Sequence, residues 1–198
     1  MNAQSAKKAD APLLAASPGF EPWLLENQCS LALCSLERGR LIFIGLTGTG
    51  KLWAHERQLE GCQAVWVGGD QIWLSTLYQI WSFRNVLPEG MVYKENGSDR
   101  LYCPRMSFIS GALNTHEIEV DGQGRVVFVN TQYSCLAVPD IHNSFRPVWR
   151  PDFVSELAPD DRCHLNGMAM DGGVVKFVTA RSKSDIAKGW KENQAEGG

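Results

Sequence analysis

The chain has 198 residues, of which 44% are hydrophobic, and a net charge of -3. That length and apolar content allow one ordinary domain with a sizeable core and exclude a disordered chain. With no basic block, neither nucleic acid nor an anionic membrane surface has an electrostatic hold on it, so neither is expected as a partner. Seven tryptophans and 19 glycines favour a turn-rich β-protein over a helical one.

In chain order, residues 1–17 are rich in Ala, Ser, Lys and Asp, lack an apolar period and read as a loose tail. Their short apolar part is broken by Asp10 and Pro12, which argues against a signal peptide. "PGFEPWLLENQCS" predicts a short helix from about Glu21 to Gln28, with Pro22 in its first turn. The domain division expected is therefore a tail and helix over 1–28 and a β-domain over 29–198. After the helix, strand signals dominate. Apolar runs separated by Gly/Asp turns predict β-hairpins near 31–46, 64–76, 118–130 and 168–179. "QIWSFRN" and "SCLAVPD" read as further short strands.

The last three hairpins overlay. Ala64 and Trp66 before "GGDQIWLST" correspond to Ile118 and Val120 before "GQGRVVFVNT", and to Met168 and Met170 before "GGVVKFVTA". Thr76, Thr131 and Thr179 stand 55 and 48 residues apart. A hairpin returning at roughly fifty residues has the spacing of propeller blades. The expected fold class is all-β, a partial or truncated propeller of about four incomplete blades behind a short N-terminal helix.

"GLTGTGK", Gly45 to Lys51, has the glycines and lysine of a phosphate-binding loop after a strand. Leu52 follows where that motif needs the hydroxyl of a Ser or Thr for Mg²⁺. The neighbourhood also lacks the crossover helices of a parallel sheet. The stretch reads better as strand, glycine turn, strand, and no nucleotide is expected.

"YQIWSFRN", "DRLYCPR", "HEIEVDGQGRVVFVNTQYSCL" and "SFRPVWRPDFVSELAPDDRCHLNGMAM", with the closing "FVTARSKSDIAKGWKENQAEGG", resemble a family of conserved hypothetical proteins carrying a domain of unknown function. The resemblance runs from about Trp23 to Gly198. It implies a propeller-like fold, with tetratricopeptide repeats fused to some members, and further β-sequence after the point where this chain stops. It implies no activity.

Chemistry is expected where blade-initiating strands converge. The overlay makes Cys62, His116 and Asn166 equivalent, with Glu117 and His164 beside them. His116, Asn166 and Glu117 could supply nitrogen and hard oxygen to a divalent metal, as in lactonase-like propellers. The alternative is that His116 and Asn166 only cap strand ends. In "APDDRCH", Asp161 and Arg162 are expected to form a loop-fixing ion-pair network, with Arg162 also able to clamp an anionic ligand. Asn130, Thr131 and Ser134 either line the same mouth or bond one blade to the next. Two function classes stay open: a scaffold or binding module for a protein or a small molecule, and a metal-dependent lactonase-like hydrolase.

The six cysteines form no C-x-x-C pair, so a structural zinc site has no support. No apolar run is long enough to span a bilayer. A cytoplasmic protein with reduced thiols is expected.

Overall fold

The computed structural model describes residues 15–192. Residues 1–14 of the expected tail lie outside the described residues, and 15–17 are exposed without regular structure. The predicted helix, α1, forms over Phe20–Glu26 behind Gly19. It buries Leu24, which is 1% exposed. The Glu21 carboxylate accepts the backbone N–H of Leu52 at 2.7 Å, tying the helix to the first sheet.

Thirteen strands follow among the described residues, in four antiparallel sheets. The first holds β1 (Leu31–Ser35), β2 (Arg40–Leu46) and β3 (Leu52–Gln58). The second holds β4 (Val65–Gly68), β5 (Gln71–Ser75), β6 (Gln79–Asn85) and β7 (Tyr102–Ile109). The third holds β8 (Ile118–Val120), β9 (Val126–Asn130), β10 (Cys135–Val138) and β11 (Arg146–Trp149). The fourth holds β12 (Leu165–Asp171) and β13 (Val174–Ala180). Within each sheet, neighbours in sequence are neighbours in space. All four predicted hairpins form, and the arrangement is the expected partial, propeller-like one. No helix of the described residues is long and apolar enough to cross a membrane.

Side-chain alternation explains the stacking. Successive residues of a strand point to opposite faces, so a strand between two sheets must be apolar on both. All five residues of β9 are buried. Val126 and Phe128 join Trp73, Ile80 and Ile118 in a core shared with the second sheet. Val127 and Val129 join Val154, Leu165 and Met168 in a core shared with the fourth. In β5, Ile72 and Leu74 pack with Phe83 of the neighbouring β6 against Leu41 of the first sheet, while Trp73 faces the third.

Polar bridges repeat along the stack. The Ser75 hydroxyl accepts the N–H of Ala64 and donates to the carbonyl of Thr115, just before the third sheet. The Thr131 hydroxyl donates to the carbonyl of Leu165 in the fourth, at 2.6 Å. At the far ends, the β8–β9 and β12–β13 turns touch backbone to backbone. Gly122 N–H donates to the Gly173 carbonyl at 2.8 Å. A Cβ on Gly173, whose φ is +77°, would stand 2.7 Å from Gly122 Cα.

The glycine turn at Gly48–Gly50 joins β2 to β3 in an antiparallel hairpin with Leu46 opposite Leu52. Thr47 N–H donates to the Lys51 carbonyl and Gly50 N–H to the Thr47 carbonyl. Strand and turn lead into a strand, where a phosphate-binding loop leads into a helix.

Candidate functional site

The loops that lead into the second, third and fourth sheets bring together groups far apart in sequence. Before β4, Gln63 presents its side-chain amide, whose N–H₂ donates to Asn114 Oδ1 at 3.0 Å and to His116 Nδ1 at 2.9 Å. An Nδ1 that accepts leaves the His116 proton on Nε2. That Nε2 is buried and has no hydrogen-bond partner. Burial, and then the neighbouring His164, hold the His116 imidazole below its ordinary pKa. His116 is therefore a neutral ring whose N–H is masked from water and unsatisfied.

His164 packs edge-on to it, with ring centroids 5.2 Å apart. Its Nδ1 bonds Asp161 Oδ2 at 2.9 Å. The same oxygen accepts the indole N–H of Trp190 at 2.9 Å, and the Trp190 ring lies 4.3 Å from the imidazole, centroid to centroid. A carboxylate on Nδ1 fixes the ring and leaves Nε2 as the working nitrogen. The guanidinium of Arg181 and the ammonium of Lys191 lie 5.2 and 5.6 Å from the Trp190 centroid.

The local backbone is bent to make this possible. Asn114, Asp161, His164 and Lys188 all have φ near +50° without being glycine. Such residues carry strain that the surrounding structure must offset, and they concentrate at sites with a task. Two left-handed residues three apart fold Asp161 back onto His164. Lys188 turns the chain into the short 3-10 turn Gly189–Lys191 that delivers Trp190. Gly189 has no room for a side chain, because a Cβ there would collide with Ser184.

Arg162, next in sequence to Asp161, belongs to a different cluster. Its side chain is 9% exposed. It donates to Asp185 at 2.8 Å, Ser155 Oγ at 3.1 Å, Asp160 at 3.1 Å and Glu156. The Ser155 N–H, and then Arg162, hold the Asp185 carboxyl at about 2. The loop-fixing role expected of Arg162 is what the contacts describe, but with different partners: Asp161 bonds His164 and Trp190 instead. With its three nitrogens engaged, Arg162 has no hydrogen-bonding edge turned to a ligand.

Asn130 ends β9, fully buried, and its Oδ1 accepts the Tyr133 N–H. Ser134 Oγ accepts the N–H groups of Arg162 and Cys163, and with Thr131 it bonds the third sheet to the chain entering the fourth. Asn166 is exposed as the second residue of β12. His116 stands two residues before β8, whereas β12, four residues longer than β8, already begins at Leu165, so Asn166 lies within a strand and not before one. Glu117 is half-buried, with its pKa raised by burial, and its carboxylate accepts the N–H of Ile118. No hydrogen bond or ion pair among the described residues joins Glu117 or Asn166 to either imidazole.

No group of three or more His, Cys, Asp or Glu among the described residues is placed to hold a metal ion. The Asp161 carboxylate, which bonds His164, is also committed to Trp190, so among the described residues the donor set does not fit a divalent ion. Two clefts of about 520 and 510 Å³ lie between the third and fourth sheets. The larger is bounded by Asp121, Val127, Trp149 and Val175, and neither contains the histidine cluster.

Sequence reasoning singled out His116 and His164 but missed Gln63, Asn114 and Trp190. Gln63 escaped because the overlay set its neighbour Cys62 against His116, whereas in the structure Gln63 precedes β4 by the same two residues as His116 precedes β8. Trp190 had no such signal. None of the curated proteins matches this chain. The family model described as "Domain of unknown function (DUF4915)" matches residues 18–198, and the chain belongs to that family.

Proposed function

We propose that this chain is a small-molecule-binding module whose site is built on His116 and His164. The observation that carries this reading is the buried, unpartnered Nε2–H of His116 beside an imidazole oriented by Asp161. A buried donor left unpaired costs about 1–3 kcal/mol, and a ligand acceptor would recover it. The ligand class is a small molecule bearing a carboxylate or phosphate. His116 donates to one oxygen, His164 Nε2 meets a second polar group, and Arg181 and Lys191 flank the indole of Trp190 as cations.

Binding without catalysis is the reading the groups favour. Ser134 spends its hydroxyl on two backbone N–H groups, and burial raises the Cys163 thiol above its usual range. Neither is available as a nucleophile.

A thermal-shift panel of mono- and dicarboxylates, sugar phosphates and inorganic phosphate tests the proposal. At least one ligand should raise the melting temperature of the unaltered protein and fail to do so in both His116→Gln and His164→Gln. A ligand whose shift survives both substitutions would overturn the site. A panel with no shift, together with imidazole nitrogen resonances that do not move on adding its members, would overturn the ligand class.

A further inference from the structure

Away from the histidine cluster, two cysteines lie against one another across the junction of the first two sheets. Cys34 is on β1, opposite Leu41 of β2. Cys62 lies in the loop between β3 and β4, its N–H bonded to the Leu59 carbonyl. Both are free thiols, with their sulfurs 3.1 Å apart. Both border the apolar core formed with Leu41, Ile72, Leu74 and Phe83. Cys62 is fully buried, whereas Cys34 is partly exposed. A disulfide needs sulfurs at about 2.05 Å. The required approach is about 1 Å, within the reach of side-chain adjustment.

We propose that Cys34 and Cys62 are a redox-sensitive pair that closes to a disulfide stapling the first sheet to the second. The oxidant is a small-molecule disulfide. The contact with Cys62, and then burial, hold the Cys34 thiol above its usual range, so its thiolate is a minor species. Being on the accessible sulfur, that thiolate attacks the reagent, forming a mixed disulfide and releasing one small thiolate. The Cys62 thiolate then attacks the Cys34 sulfur, the mixed bond breaks, and the second small thiolate leaves. Two electrons pass from the protein to the reagent, and the two protein thiol protons end on the two released small thiols. The new bond closes a loop holding β2, β3 and the turn between them, which restricts the unfolded chain. The other four cysteines act as internal controls. Cys135 and Cys163 are buried between other sheets, and Cys29 and Cys103 have no thiol bonded to them.

Incubation of the native full chain with oxidised glutathione tests this. Thiols counted after denaturation should fall from six to four. Trypsin, cleaving after Lys8, Arg38, Arg57 and Arg84, leaves Cys29 and Cys34 on one peptide and Cys62 on another. Mass mapping should find these two peptides joined until dithiothreitol is added, and fragmentation of the joined pair should place the link on Cys34 and not on Cys29. The oxidised protein should melt higher than the reduced one, and Cys34→Ser should lose that difference. Six thiols after prolonged oxidation, glutathione retained on Cys34, or a linkage between other cysteines would each overturn the proposal. The peptide map uses the unaltered protein, so it decides the matter even where Cys34→Ser fails to fold.

Discussion

Arg162 and His164 are two residues apart, yet they sit in clusters of opposite character. Around Arg162 every donor has a partner: Asp185, Ser155, Asp160 and Glu156 surround one guanidinium. Around His164 the network stops short, because Asp161 and Trp190 fix one side of the ring and the next donor, His116 Nε2, meets nothing. A closed network holds a loop in place, and an open one has capacity left for a ligand. The single segment Asp160–His164 supplies both, because its left-handed turns send alternate side chains to different neighbours.

Replacing Arg162 should break the closed side, with the largest effect of any substitution considered. Arg162→Met leaves Asp160, Glu156 and Asp185 facing one another without a counter-charge. The thermal midpoint should fall further than for any histidine variant, and an unchanged midpoint would mean that the ring of contacts is ornamental. Gly189→Ala comes next. Overpacking against Ser184 should cost about 1–3 kcal/mol in denaturant unfolding. It should also change Trp190 fluorescence as the indole leaves Asp161. Asp161→Asn is smaller, about 1–2 kcal/mol. It should abolish the fixed orientation of His164, visible as averaged imidazole resonances, while Arg162 contacts persist.

The smallest effects are in pH. The folded His116 has a lowered pKa, so below its ordinary value of about 6.5 the unfolded chain takes up a proton that the folded chain refuses. Stability should therefore be full above that value and decline as the pH falls beneath it, and His116→Gln should flatten the decline. Asp185 behaves as a depressed carboxylate. Its contribution is complete above the ordinary carboxylate range and is lost as the pH falls through about 2. Asp185→Asn should remove that last acid step and leave the His116 step intact.

The hairpins were legible because their apolar residues alternate on both sides of Gly/Asp turns. The strands β7 and β11 were harder to see. Each is a sheet edge interrupted by a proline, Pro104 and Pro147, opposite a register shift. A proline cannot donate to the ladder, so it tolerates only such places, and it also spoils the alternation. In the site, His116 and His164 stood out by type. Their partners did not, since the Asp161–Trp190 bond spans 29 positions and depends on backbone turns at Asp161 and Lys188. Those turns are held by tertiary contacts, and the residue types give no hint of them. The adjacency of Asp161 and Arg162 was misleading for the same reason.

Each sheet is drawn from one unbroken stretch of chain: 31–58, 65–109, 118–149 and 165–180. Strand pairing therefore needs only nearby segments, and the contacts that span greater distances are the apolar seams between consecutive sheets. Such a chain suits vectorial synthesis. The first sheet can pair its strands as it leaves the ribosome, and each later sheet finds a finished apolar face waiting, so that the seams close in the order of translation. The histidine cluster, which needs groups from the starts of three sheets and from the turn after the fourth, can then assemble only once the fourth sheet and that turn have been made.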